Sequence, residues 1–297
     1  MRVLVFGASG FIGRYLVQRL LNEGSEVVGV SRTNLKGFSK NKKYVPVSVD
    51  IIKREDFKKI PQLAYDAAFN ISAYIPGKSA SADSNQECLE VNITGVLNIL
   101  DYVFRSNIKH YIHSSSASVY GLPKKILVKE TAMTAPNSIY GFSKLAGEEL
   151  CSLYRKMHGL QVVVLRYSSV YGTLCKADTV LPLFVDKARR NEDITLLGEG
   201  ERSQDFVYVD DVIEANVRAL RYGKSGVFNI GSGEETSMKK LARIIIRVSN
   251  SKSNILFDKS RRENFRMMLN IDRAKRELAY WPRFDLRIGV EKYIQSL

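Results

Sequence analysis

Three glycines spaced by three, Gly7, Gly10 and Gly13, stand between a short apolar run, Val3 to Phe6, and a stretch from Phe11 to Leu21 with apolar residues at helical spacing. The segment reads as strand, tight turn and helix. Glycine at 7 permits the sharp turn, at 10 it lets backbone approach a pyrophosphate, and at 13 it lets helix and strand pack closely. The helix amino terminus then offers unpaired N–H groups and positive potential to phosphates. This order predicts a dinucleotide site made by Gly7, Ser9, Gly10, Phe11, Ile12 and Gly13.

The opening unit recurs along the chain. Val27 to Val30, Tyr44 to Val49, Ala67 to Ile71 and Tyr111 to His113 read as buried strands, with helix-like stretches at Cys88 to Phe104 and Ile139 to Met157. Strands alternating with helices imply parallel pairing through right-handed crossovers. The expected class is therefore α/β, a doubly wound parallel sheet of the Rossmann type, with a smaller mixed α/β lobe for substrate. Residues 1–172 would form the dinucleotide domain, completed by 210–232, and 173–209 with 233–297 the lobe. Beyond Gly172 the elements shorten: helical spacing at Val180 to Arg190, Val212 to Leu220, Met238 to Val248 and Asp272 to Leu278, and strand candidates at Ile194 to Leu196, Phe206 to Tyr208 and Val227 to Ile230.

Composition narrows the functional classes. The 297 residues carry 45 Lys and Arg against 31 Asp and Glu, a net charge of +14, with 45% hydrophobic and 26% charged residues. That balance belongs to a globular protein and excludes wholesale disorder. The basic residues are scattered over Lys36 to Lys43, Lys53 to Lys59 and Arg261 to Arg276, without a nucleic-acid-binding module, so attraction of anionic small molecules is the expected use of the charge. Cys88, Cys151 and Cys175 form no disulfide framework and no metal-ligand spacing, and no apolar run is long enough for a signal peptide or a membrane span. Cytoplasmic placement, no membrane partner and no metal are expected. His110, His113 and His158 are read as structural.

The second strand ends Val30-Ser31-Arg32. A site built for the adenosine ribose 2′-hydroxyl usually carries Asp or Glu there, whereas arginine suits a 2′-phosphate, so Ser31 and Arg32 favour NADP over NAD. Stacking of Arg32 on adenine is the alternative. Asp50 and Ile51, after the third strand, are placed for the adenine edge, with helix capping as the competing role for Asp50.

Tyr140 and Lys144 lie four apart at the start of the helix after Pro136, capped by Asn137 or Ser138, and so share a face. A phenol of pKa about 10 is a poor base at neutral pH unless positive charge stabilises its phenolate, and Lys144 would supply that charge. Upstream, Ser114-Ser115-Ser116-Ala117-Ser118 leaves the end of a strand, where α/β sheets place ligand-contacting groups. One of these hydroxyls can hold a substrate oxygen while Tyr140 moves its proton.

With these motifs, Ala68-Phe69-Asn70-Ile71-Ser72-Ala73, Val91-Asn92-Ile93-Thr94-Gly95, Leu165-Arg166-Tyr167-Ser168-Ser169-Val170-Tyr171-Gly172, Gln204-Asp205-Phe206 through Asp211, and Asn229-Ile230-Gly231-Ser232-Gly233 resemble the extended short-chain dehydrogenase/reductases. Within these the chain is most similar to the NAD(P)-dependent nucleotide-sugar epimerase/dehydratase family. The resemblance implies that Tyr140 is the general base and acid, that Lys144 bonds the nicotinamide ribose, and that Ser116 is the hydroxyl partner. It adds Ser72, Asn92, Ser114, Tyr167 and Ser168 to the cofactor site, and a homodimer built on the helices at 88–104 and 139–157.

Departures from the family pattern separate its branches. Ala117-Ser118 replaces the Asp-Glu of dehydratases, leaving no evident group for elimination. Ser169 replaces a usual Asn and Gln204 a usual Arg, both commonly at the nucleotide diphosphate, so Arg202, Arg261 or Arg262 would supply that charge. Ser118, Ser169, Arg202, Gln204 and Arg262 complete the expected substrate set with Ser116 and Tyr140. The expected activity is epimerisation at C4 of a nucleotide sugar through a transient 4-keto intermediate. The alternatives are a 4-keto-sugar reductase using NADPH, which Arg32 favours, and a non-catalytic dinucleotide sensor.

Overall fold

Val3, Leu4, Val5 and Phe6 are all inaccessible to solvent, as a continuous apolar run requires of a strand covered on both faces. The computed structural model describes residues 1–33, 36–38, 40–77, 81–261 and 263–297. Seven parallel strands form its main sheet: β1 (Arg2–Phe6), β2 (Glu26–Ser31), β3 (Tyr44–Ser48), β4 (Ala67–Asn70), β5 (His110–Ser116), β6 (Gln161–Tyr167) and β7 (Gly226–Ile230). Their order is β7-β6-β5-β4-β1-β2-β3. The chain steps outward from β1 to β3 and then crosses to β4 on the other side of β1. A ligand crevice is expected where the winding reverses, outside the carboxyl ends of β1 and β4. The doubly wound class read from the sequence is the fold observed.

Alternate residues of β1 serve different layers. Val3 and Val5 pack with Leu16, Val17 and Leu20 of α1 (Phe11–Asn22) and with α6 (Val209–Tyr222). Leu4 and Phe6 pack with Val96, Ile99, Leu100 and Val103 of α3 (Gly95–Arg105) and Cys151 of α4 (Ile139–His158). The helix expected over 88–104 begins earlier and is interrupted: α2 spans Ala82–Leu89, and a π-helical turn at Glu90–Thr94 separates it from α3. Such turns commonly redirect a side chain at a functional site, and here the turn holds Asn92. The remaining helices are α5 (Val180–Arg189), α7 (Met238–Val248), α8 (Asp272–Leu278) and α9 (Leu286–Gln295), accompanied by short two-stranded pairs. Among the described residues no helix is long and apolar enough to cross a membrane.

Candidate active site

The glycine turn has the geometry its spacing predicts. Gly7 has φ +82°, and a Cβ there would meet the backbone of Ile71 and Ser72 at 2.6–2.8 Å; one on Gly13 would lie 2.0 Å from the Gly7 carbonyl oxygen. Those two glycines are demanded by the protein's own packing. Gly10 differs, because its added Cβ would meet only the Gly7 oxygen at 3.3 Å. Gly10 also caps α1 with no side-chain hydrogen bond, and no acidic residue stands in the first turn. An open cradle of backbone N–H groups at a helix start, with Ser9, Phe11 and Ile12 around it, fits the phosphates of a dinucleotide.

The adenosine end departs from the simplest expectation. Arg32 is not free: its Nη1 lies 3.4 Å from Glu87 Oε1 on α2. Ser31, at the end of β2, donates its hydroxyl to the Thr33 carbonyl. Asp50 accepts from the Ile52 N–H at 3.3 Å, while Ile51 is buried beneath α3, where Gly95 leaves room for it. Ser72 lies beside the glycine turn and bonds Asn70 through both its N–H and its hydroxyl. Asn92 is buried, and its amide is spent on the protein, accepting from the Tyr74 N–H and donating to the Tyr74 carbonyl and the Ser143 hydroxyl, each at 2.9 Å. The structure thus shows Asn92 fastening the loop after β4 to α4.

Ser138 caps α4 by accepting from the Gly141 N–H at 3.1 Å, a bond of the kind worth about 1 kcal/mol. Gly141 lets this helix start press against the turn after β5, since a Cβ would fall 2.6 Å from the Ser118 carbonyl oxygen. That close approach brings Tyr140 to Ser116. A cavity of about 460 Å³ gathers Phe11, Ile12, Ser115, Ser116, Tyr140, Tyr167, Ser168, Ser169, Arg202 and Gln204. Residues expected at cofactor and substrate from distant motifs therefore meet in one space. Ser114 is buried within β5 and lines neither this cavity nor its neighbour; the adjoining Ser115 reaches the wall and donates its hydroxyl to Glu148.

Electrostatics bear on the expected pairing of Tyr140 with Lys144. Burial pushes the Tyr140 phenol up to about 12, with Ser116 as the group that draws it back and Cys88 reinforcing the rise. Lys144 is not among the groups that lower it. Burial pulls the Lys144 ammonium down to about 8, opposed chiefly by the Glu148 carboxylate. Burial around α4 therefore opposes the ionised form of each group in the ligand-free chain. Lys144 is 2% exposed, its ammonium makes no hydrogen bond among the described residues, and it is not among the residues that line this cavity or its neighbour. Behind it, the Arg166 guanidinium grips Glu148 with three bonds of 2.6–3.2 Å and donates to Tyr120 at 2.9 Å. Neither residue of this buried pair was anticipated as part of the site, although Tyr140, Lys144 and Glu148 recur at intervals of four on one face.

A second cavity, about 240 Å³, adjoins the first and is lined by Ser116, Ser118, Asn137, Ser168, Ser169, Arg202, Gln204, Asp205 and Phe265. Arg202 and Gln204 flank the buried Ser203 and both line this cavity, so a charge two residues before Gln204 reaches the same space. The Arg202 guanidinium donates to Glu263 at 3.0 Å, and its Nε has no partner among the described residues. Two carboxylates line these cavities. Asp205 is buried and accepts from the N–H groups of Ser232 and Gly233 and the hydroxyls of Ser168 and Ser232; Asp178 pairs with Lys176 at 3.4 Å. Tyr167 is anchored by Asn216. Arg262 lies outside the described residues.

The sequence profile of the NAD dependent epimerase/dehydratase family matches residues 3–231. The chain belongs to that family. The UDP-glucose 4-epimerase of Mycolicibacterium smegmatis is 30% identical over 309 residues, covering 99% of this chain and 98% of that one. The crystal structure of UDP-glucose 4-epimerase from Thermotoga maritima with UDP-glucose superimposes with a TM-score of 0.90 at 28% identity, covering 99% of this family member and 98% of that chain. UDP-glucuronic acid 4-epimerase from Bacillus cereus in complex with NAD gives 0.86 at 29%, covering 100% and 99%.

Proposed function

We propose that this chain is a nucleotide-sugar epimerase that inverts C4 through a transient 4-keto sugar with NAD as its resident cofactor. The observation that carries this reading is the single cavity in which Tyr140 and Ser116 face the first turn of α1. When bound, the nicotinamide would supply hydride acceptance and return at C4 and, in its oxidised form, a positive charge. Tyr140 takes the C4 hydroxyl proton and gives it back, Ser116 holds the same oxygen, and the Lys144 ammonium bonds the nicotinamide ribose. Glu148 and Arg166 hold the Lys144 face of α4 against β6. Segments 173–209 and 233–297 form the substrate lobe, with Arg202 taking the diphosphate charge in place of Gln204.

Elimination of water from the sugar has no support, because Asp205 is tied to backbone and Asp178 to Lys176. The reductase reading leans on an Arg32 without a neighbouring carboxylate, whereas its Nη1 lies 3.4 Å from Glu87 Oε1. Cytoplasmic placement is supported by three free cysteines. We further propose a homodimer through α3 and α4, whose Phe104, Leu153 and Met157 are exposed on this pair of helices; a monomeric mass in light scattering at micromolar protein would remove it. The function itself is tested by offering UDP-glucose and UDP-glucuronic acid to purified protein without added cofactor. Interconversion of C4 epimers is expected, with turnover lost and dinucleotide affinity kept within a few-fold in Tyr140→Phe; near-normal turnover in that variant would refute the proton-transfer role.

A further inference from the structure

We propose that Glu87 sets the choice between the two dinucleotides, holding Arg32 and turning the adenosine end of the site against a 2′-phosphate. This rests on the dinucleotide reading of the glycine turn. The Val30 carbonyl of β2 accepts from the N–H groups of Gly7 at 2.9 Å and Ala8 at 3.3 Å, so Arg32, two residues on, stands at the edge of that turn. The Arg32 carbonyl accepts from the Ser48 hydroxyl at 3.1 Å, which fixes the base of its side chain against β3. Glu87 comes from the opposite side, on α2 after β4. Their 3.4 Å pair therefore links segments that follow β2 and β4, the two strands flanking β1.

The two candidate ligands differ at one position. A ribose 2′-hydroxyl is neutral and can donate to the Glu87 carboxylate. A 2′-phosphate brings up to two negative charges and, to reach the guanidinium, must come within a few ångströms of that carboxylate. Arginine alone would favour the phosphate; arginine with a carboxylate beside it presents a near-neutral pair. The acid that NAD sites ordinarily carry at the end of the second strand is here supplied from α2. With Arg32 64% and Glu87 40% exposed, the pair itself adds little stability, so changing it leaves the fold intact.

The test measures dissociation constants of NAD and NADP by calorimetry on ligand-stripped wild type, Glu87→Gln, and Glu87→Gln combined with Arg32→Ala. The wild type is expected to prefer NAD. Glu87→Gln should tighten NADP about tenfold while NAD changes by no more than about threefold, the gain shrinking at high salt and vanishing in the double variant. An NADP-to-NAD ratio unchanged in Glu87→Gln, with both still binding, overturns the proposal and leaves the dinucleotide reading standing. Failure of folded wild type to bind either dinucleotide overturns that reading and the proposal with it.

Discussion

Replacing Lys144 by methionine separates what this residue does for the site from what it does to the fold. The side chain is buried, its ammonium lacks a hydrogen-bond partner among the described residues, and burial draws its pKa from 10.5 to about 8. That gap corresponds to about 3 kcal/mol of destabilisation in the ligand-free protein. Because the folded-state pKa of this base lies below its unfolded value, the penalty is fully present below about pH 8. It is relieved as pH rises from about 8 toward 10.5. Methionine keeps an unbranched stem of similar length without the charge. Ligand-free Lys144→Met should therefore be more stable than wild type by roughly 2–3 kcal/mol at pH 7, with the difference closing near pH 10. Equilibrium urea unfolding of ligand-stripped proteins at both pH values reads this out, and a parallel titration should show dinucleotide affinity reduced about tenfold or more in the variant. A variant less stable than wild type at pH 7, or a stability difference that does not change with pH, would contradict a buried, unpartnered ammonium.

Two further substitutions probe the surroundings. Glu148→Ala strands the Arg166 guanidinium in the interior and should lower stability by about 3–5 kcal/mol in denaturant unfolding; a loss under about 1 kcal/mol would mean the pair is not structural. Arg202→Ala should raise KM for a nucleotide sugar about tenfold while dinucleotide affinity stays within twofold, and equal effects on both ligands would move Arg202 out of the substrate lobe.

The parts legible in the sequence are those fixed by short-range rules. Gly7 and Gly13 announce themselves because backbone conformation and close packing leave no alternative there, and the pairing of Tyr140 with Lys144 follows from helical periodicity. β6 was the strand not singled out, although Val162 to Leu165 is a continuous apolar run; its central place between β5 and β7 depends on pairings far along the chain. The break at Glu90–Thr94 was hidden because a π-helical turn keeps helical composition and alters only the hydrogen-bond step. Glu87 and Arg166 escaped notice for another reason. Each acquires its role from a partner 55 or 18 residues away, Arg32 and Glu148, and local pattern carries no sign of such a meeting. Lys144 shows the limit most clearly: spacing placed it beside Tyr140, but only burial reveals that both ionised forms are disfavoured there.

The central claim is that hydrogen leaves C4 of the sugar and comes back without meeting water, while Tyr140 handles only the hydroxyl proton. Proton NMR of the C4 epimer formed from UDP-glucose in deuterated buffer addresses this directly. The account predicts full retention of protium at C4 with no solvent deuterium; deuterium at that carbon would contradict it and point to proton abstraction from carbon instead.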